Sequence, residues 1–180
     1  MPNWTKNTVT VAGKPADLRA FLEAVKWEDE LFDFNRLIPM PDLLKHTGYG
    51  WRTIDGERHE SWYIVNPDEP DISKERVRAF TPEERAVLKD IGHDSWYTWC
   101  IENWGTKWNA CHTHMASVGL VSAALETSSI KINFDTAWSA PLPVFHKMHE
   151  MFPHLAFTCE WRNEDDRWQE RFTLKLEAAA

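Results

Sequence analysis

Four residues of the types that bind zinc lie close together in the middle of the chain: Cys100, Cys111, His112 and His114. Cysteine and histidine are the preferred ligands of structural zinc. Their spacing argues against a metal site, because they form no C-x-x-C pair and no pair of histidines with a zinc-site separation. If residues 111–114 are extended, His112 and His114 share one face of the strand and Cys111 points to the other. We therefore expect no metal and no cofactor, and interpret these residues as buried cysteines and loop histidines.

Two further groupings contain catalytic residue types without a catalytic pattern. His146 and His149 are three residues apart on a predicted helix, and we interpret His149 as a hydrogen-bonded histidine at the edge of the core. His93, Asp94 and Ser95 have the residue types of a triad, but adjacent residues rarely converge as a triad must. The chain also lacks a G-x-S-x-G motif, a phosphate loop and a dinucleotide fingerprint. We assign no catalytic residues.

A tryptophan-rich run, residues 96–110, contains four of the chain's eleven tryptophans. The spacing of its first residues is helical, and Gly105 supplies the left-handed position that commonly ends a helix. Tryptophan is enriched at the energetic centres of protein interfaces. The candidate binding residues are Trp96, Trp99, Trp104, Lys107 and Trp108. The alternative is that this run is a buried seam that ties the helix to a sheet.

The rest of the pattern predicts two βαβ units. Alternating apolar and polar residues indicate strands at residues 8–11, 31–40, 130–135, 155–161 and 172–176, the last at a sheet edge. Pro15 and Pro141 each open a helix with an apolar stripe. The order is that of the ferredoxin-like or split βαβ plan. The predicted fold class is therefore α+β, with a ferredoxin-like antiparallel sheet.

Residues 41–92 differ in character from both βαβ units, because glycines and prolines interrupt the pattern and charged residues are dense. They contain one helix with a clear start, because Thr81-Pro82-Glu83-Glu84 matches the capping box, and we expect Val87, Leu88 and Ile91 to form its buried side. Residues 111–129 are not assigned to helix or strand. We expect a single domain over residues 1–180, with a core at 1–40 and 130–177 and a large insertion at 41–129 between the two βαβ halves.

The amino-acid composition argues against a nucleic acid as the binding partner. A formal charge of -8 and a pI near 5.5 argue against affinity based on phosphate neutralisation. The outward positions of the predicted strands contain no aromatic residue on which an RNA base could stack. These positions are Thr8, Thr10, Asp33, Asn35, Lys131, Asn133, Asp135, Thr158 and Glu160. We therefore expect a protein partner rather than a nucleic acid.

Cellular location follows from two further observations. No apolar run approaches the roughly 20 residues that a membrane-spanning helix needs. Three cysteines form no regular framework, and no secretory apolar region follows Met1. We expect a cytoplasmic protein with no membrane contact.

Four segments carry a resemblance to a known family. They are Met1-Pro2-Asn3-Trp4, residues 32–41, residues 99–110 and residues 134–141. They resemble the Api92-like family, uncharacterised proteins of phages and conjugative plasmids that include YubB-type proteins. The resemblance implies a ferredoxin-like domain and a mobile-element setting, and it supplies no catalytic or binding residues.

Three hypotheses about function follow. The first is a non-enzymatic accessory protein of a phage or plasmid that binds another protein. The second is an acidic DNA mimic that inhibits a host DNA-binding enzyme, with carboxylates at Asp68, Glu69, Asp71, Glu164, Asp165 and Asp166. The third is an unrecognised metal-dependent enzyme or other hydrolase, which requires polar groups that converge in a pocket.

Overall fold

The computed structural model describes residues 3–115, 128–164 and 171–179. Its strands and helices are, in chain order, β1 (Trp4–Ala12), α1 (Pro15–Val25), α2 (Asp42–Lys45), β2 (Thr47–Ile54), β3 (Glu57–Ile64), β4 (Val77–Arg78), α3 (Pro82–Ile91), α4 (Trp96–Asn103), β5 (Cys111–Met115), β6 (Ser129–Ala137), α5 (Leu142–Met151), β7 (Ala156–Asn163) and β8 (Phe172–Leu176). The chain divides into two compact units, one of Met1–Pro39 with Asn103–Ala180 and the other of Met40–Glu102.

The first unit contains a five-stranded antiparallel sheet in the order β5-β6-β1-β7-β8. Helix α1 follows β1, and α5 connects β6 to β7. Strands β5, β6, β1 and β7 with these two helices form the split βαβ arrangement. Strand β8 adds the edge strand that the sequence predicted. The ferredoxin-like α+β class is therefore confirmed.

The core of this unit lies between the sheet and its two helices. The apolar stripe predicted for α1 is the buried one, consisting of Leu18, Phe21, Leu22 and Val25. Phe21 meets Phe157 of β7 at 5.6 Å between ring centroids, and Phe145 of α5 meets Phe134 of β6 at 6.5 Å. Phe134 and Phe157 lie on the same face of the sheet. Both helices therefore pack on that face.

The strand predicted at residues 31–40 is wrong. Phe34–Arg36 is a 3-10 helix, and Asp33 caps it by accepting a hydrogen bond from the Asn35 amide at 2.9 Å. Phe32 and Phe34 are both buried, and their ring centroids lie 5.0 and 5.9 Å, respectively, from that of Phe134. The two phenylalanines therefore alternate with polar residues because both side chains enter the core from a turn, and not because the segment is a strand.

The second strand of the ferredoxin-like plan is instead β5, which the sequence analysis left unassigned within the insertion. It pairs with β6, Cys111 opposite Asp135 and His114 opposite Asn133. In the sequence, the Met40–Glu102 unit consequently comes after α1 and before β5, within the first βαβ half. Residues 116–127 lie outside the described residues. The number of independently folding domains stays a prediction.

The second unit has a three-stranded sheet in the order β2-β3-β4. Its first hairpin turns at Asp55 and Gly56, which both have positive φ, 52° and 86°. An Asp-Gly pair between two strands is a strong hairpin signal that the sequence analysis did not use. In α3 the capping box of Thr81 and Glu84 is present as predicted, but Val87, expected to be buried, is 48% exposed.

Candidate functional site

The outer face of the five-stranded sheet, opposite α1 and α5, carries the functional groups of the first unit. In β1 the side chains of Val9 and Val11 point to the helices, so the alternating Trp4, Lys6 and Thr8 point away from them. Pairing places Lys6 beside Asp135 of β6 and Arg162 of β7. The outer face is therefore polar and aromatic at one end.

A groove of about 730 Å³ follows this end of the outer face. We call it the sheet groove. Its charged and titratable lining residues are Lys6, His112, His114, Asp135, Glu160, Arg162 and Arg171. Among these described lining residues, Lys6, Arg162 and Arg171 are cations, and Asp135 and Glu160 are carboxylates. Their net charge is positive, whereas the formal charge of the whole chain is -8.

Asp135 is the centre of the groove's hydrogen bonding. Its Oδ2 accepts from Lys6 Nζ at 2.7 Å and lies 2.9 Å from His112 Nδ1. Only 8% of Asp135 is exposed, whereas the side chain of His112 is 67% exposed. Because a carboxylate accepts hydrogen bonds, it fixes the proton of a neutral His112 on Nδ1 and leaves Nε2 as the acceptor nitrogen.

A bulge in β5 brings two histidines to the groove. One extra residue lies between Cys111 and His114 relative to the facing stretch of β6, and His112 takes the left-handed conformation with φ of 52°. His114 Nδ1 lies 3.3 Å from the His112 carbonyl oxygen. Both imidazoles line the groove because of this bulge, and not through the regular extended strand on which their predicted shared face depended.

Next to the groove lie three tryptophans, Trp4, Trp108 and Trp138, which together with Lys107 we call the aromatic cluster. Trp4 and Trp108 have ring centroids 6.1 Å apart. The Lys107 ammonium lies 4.9 Å from the Trp108 ring and 4.8 Å from the Trp138 ring. Trp138 is 45% exposed, so the cluster presents aromatic surface to solvent.

Hydrogen bonds between two loops hold the aromatic cluster together. The Thr106 hydroxyl donates to the Ala137 carbonyl at 2.8 Å, and the Ser139 hydroxyl donates to the Gly105 carbonyl at 2.6 Å. Gly105 has φ of 75°, and a Cβ there would lie 2.8 Å from Pro143 Cδ. The loop that carries Lys107 and Trp108 is therefore tied to the loop that carries Trp138.

The five candidate binding residues from the sequence divide into two groups. Trp99 and Trp104 are 5% and 3% exposed, and the Trp104 indole donates to the Ile38 carbonyl at 2.9 Å. Trp96 is partly exposed and meets Tyr97 edge-on in the second unit. Only Lys107 and Trp108 belong to the aromatic cluster. Binding by any of the five stays a prediction.

Sequence reasoning missed Trp4, Lys6 and Trp138 as site residues. Trp4 and Lys6 lie on the upstream part of β1, which was predicted to begin at residue 8 because the inward positions before it, Thr5 and Asn7, are polar and break the apolar alternation. Trp138 follows β6 in a left-handed conformation with φ of 77°. Nothing in the local sequence indicates that conformation for a tryptophan.

The other proposed chemistry is not assembled. Among residues 3–115, 128–164 and 171–179, no group of three or more His, Cys, Asp or Glu side chains is arranged to hold a metal ion. Cys100 is buried, and burial raises the pKa of its thiol to about 12. His149 lies 2.7 Å through Nε2 from the Glu177 carbonyl oxygen, consistent with its predicted role at the core edge. Two of the proposed mimic carboxylates, Asp165 and Asp166, lie outside the described residues.

Residues 103–168 match the family model for the ferredoxin-like domain in Api92-like protein. Over these residues the chain is similar to that domain. No curated protein and no solved structure matches the chain. The matched region contains His112 and Asp135 of the groove and Lys107, Trp108 and Trp138 of the aromatic cluster, whereas Trp4 and Lys6 precede it.

No helix in the described part of the chain has the length and apolar character to cross a bilayer. The longest of them, α1, has 11 residues, about half of what a spanning helix needs.

Proposed function

We propose that this chain is an accessory protein of a phage or plasmid that acts in the host cytoplasm by binding another protein at the aromatic cluster. The observation that carries the proposal is the gathering of the half-buried Trp4 and Trp108 with the exposed Trp138. Tryptophan side chains dominate the binding energy of many protein interfaces.

The exposure of Trp138 has an energetic meaning. Tryptophan buries about 150–250 Å² when fully covered, so covering the exposed part of Trp138 removes on the order of 100 Å² from water. At about 25 cal/mol/Å² this contributes roughly 2.5 kcal/mol before the costs of association. This surface of Trp138 stays exposed in the folded chain, so its burial can contribute to binding a partner.

The cluster also indicates the chemistry of the partner. Lys107 places a positive charge between two indole rings, and these rings provide flat apolar surface on either side of it. These rings favour a partner segment with an apolar or aromatic side chain that covers them.

Photo-crosslinking in host cells tests this proposal. A photoreactive amino acid is introduced at Trp138, and, as the matched control, at Trp27, which is exposed but does not belong to the cluster. We expect one protein to crosslink at position 138 and not at position 27. The same products at both positions, or none at position 138, would contradict the proposal. Mass spectrometry identifies the partner and its crosslinked segment.

Salt dependence separates this proposal from the DNA-mimic alternative. A mimic binds through many carboxylates, so its affinity should fall steeply as ionic strength rises. Docking on indole rings should be much less sensitive to salt. Titration of the crosslinked partner at low and high salt therefore decides which surface carries the binding.

A further inference from the structure

We infer that the sheet groove is a site of RNA cleavage in which His112 is the general base. This inference goes beyond partner binding and does not rest on it, because it concerns the groove residues and needs no second protein. It also departs from the expectation of a non-enzymatic protein.

The orientation of His112 is that of a base held by a carboxylate. Asp135 is nearly buried and fixes Nδ1 at 2.9 Å, while the exposed imidazole presents Nε2 to the groove. Lys6 binds the same Asp135 oxygen at 2.7 Å and keeps the carboxylate in place. General bases in enzymes are commonly positioned in this way by a third group. Asp135 is thus a positioning residue, and His112 is the group that meets the substrate.

The charge and aromatic lining of the groove match a phosphodiester with a base attached. Arg162 and Arg171 supply two cations to the groove, beside the Lys6–Asp135 ion pair and the Glu160 carboxylate. Trp4 lines the groove and packs edge-on against the His112 ring at 5.3 Å between centroids, so the groove has an aromatic wall beside His112. Trp4 was not among the outward positions predicted from the sequence, so the lack of an aromatic residue no longer counts against RNA at this groove.

The described lining of the groove offers no free side-chain nucleophile. The lining residues that the structure describes include no serine, cysteine or tyrosine. The hydroxyl of Thr8 donates to Asn133 Oδ1 at 2.8 Å and so is already engaged. RNA carries its own nucleophile, the 2′-hydroxyl next to each phosphate. A groove with a base and cations but no free hydroxyl is suited to that substrate.

The reaction balances without any co-reactant. His112 Nε2 accepts the proton of the 2′-hydroxyl as its oxygen attacks phosphorus, and the bond from phosphorus to the 5′ oxygen breaks. That oxygen takes a proton from the imidazolium of His114, which lines the same groove. The products are a 2′,3′-cyclic phosphate end and a 5′-hydroxyl end. Arg162 and Arg171 stabilise the charge that builds on the phosphoryl oxygens, while Lys6 stays paired with Asp135.

Cleavage of a single-stranded RNA oligonucleotide by the purified full-length protein, in the presence of EDTA, tests the inference. We expect cyclic-phosphate ends from RNA and no cleavage of DNA of the same sequence. His112→Gln should lower the cleavage rate at least about 100-fold, the usual range for loss of a general base. The control Trp51→Ala replaces an exposed tryptophan outside the groove and should leave the rate unchanged.

Two further variants separate chemistry from folding. His114→Gln should also lower the rate, since the leaving oxygen loses its acid. Asp135→Asn should lower kcat with KM changed by less than about twofold, because Asp135 positions the base and does not hold the substrate. Absence of RNA cleavage by the parent protein, equal cleavage by His112→Gln, or equal cleavage of DNA would each overturn the inference.

Discussion

The two faces of the five-stranded sheet are built from the same strands and serve different purposes. On the helix-covered face, Val9, Phe134 and Phe157 are buried to within 1% of their surface. On the outer face, the residues that alternate with them include Trp4, Lys6 and Arg162. Because strand side chains alternate between faces, one face can supply the stability of the fold while the other carries chemical groups. We therefore expect function on the outer face of this unit, and the main contribution to stability on the helix-covered face.

Three polar residues depart from this division. Thr5, Asn7 and Thr136 point to the helix-covered face and are no more than 2% exposed. The Asn7 Nδ2 donates to the Thr5 carbonyl at 2.9 Å and to Thr136 Oγ1 at 2.8 Å. These bonds satisfy the amide nitrogen of Asn7, whereas its Oδ1 is buried without a hydrogen-bond partner among the described residues. Because Asn7 is next to Lys6 in β1, the covered face is least apolar directly behind the groove.

The strongest test of the comparison is a pair of substitutions on β6. Phe134→Ala removes a ring that packs against Phe32, Phe34 and Phe145. We expect it to lower the free energy of unfolding by about 3–5 kcal/mol, as for other buried phenylalanines. Lys131→Ala, on the outer face of the same strand, should change it by less than about 0.5 kcal/mol. Denaturant unfolding measures both, and similar losses would contradict the division of the faces.

A second test uses the three cysteines, since Cys159 lies on the covered face. Burial raises the pKa of Cys100 and Cys159 to about 12, while Cys111 is partly exposed and its pKa is also raised, mainly by burial. Only the thiolate reacts with disulfide reagents. We expect Cys111 to react at least about 100-fold faster than the other two in the native protein, because their exposure requires opening of the structure.

The pH dependence of this labelling has a definite sign. A raised pKa means that less thiolate is present at neutral pH, so the rate at Cys111 should increase as pH rises toward that pKa. Cys111→Ser should abolish the fast phase. A fast phase that survives this substitution would show that a thiol assigned to the core is accessible.

Much of the fold could be predicted because its signals are local. The stripe of α1, the capping box of α3 and the left-handed Gly105 each depend on residues within a few positions. The false strand at residues 31–40 shows the limit of this reasoning. Alternation of Phe32 and Phe34 with polar residues suits a strand, but contacts with Phe134, about a hundred residues away, determine the turn that actually forms.

The candidate site was less predictable because it depends on pairing between distant strands. His112 and Asp135 meet only because β5 has a bulge opposite β6, and no pattern near residue 112 indicates a bulge. Trp108 and Trp138 meet because two loops are hydrogen-bonded. The tryptophan-rich run contains Lys107 and Trp108 of the aromatic cluster, but Trp99 and Trp104 are buried.

The most direct test of a functional outer face is the affinity of the crosslinked partner for the Trp138→Ala protein, measured by calorimetry beside Trp27→Ala. We expect Trp138→Ala to weaken binding about 10- to 30-fold, as loss of an interface tryptophan does, with a free energy of unfolding within about 1 kcal/mol of the parent. Trp27→Ala should leave the affinity unchanged. Equal affinities for Trp138→Ala and the parent protein would contradict the assignment of binding to this surface.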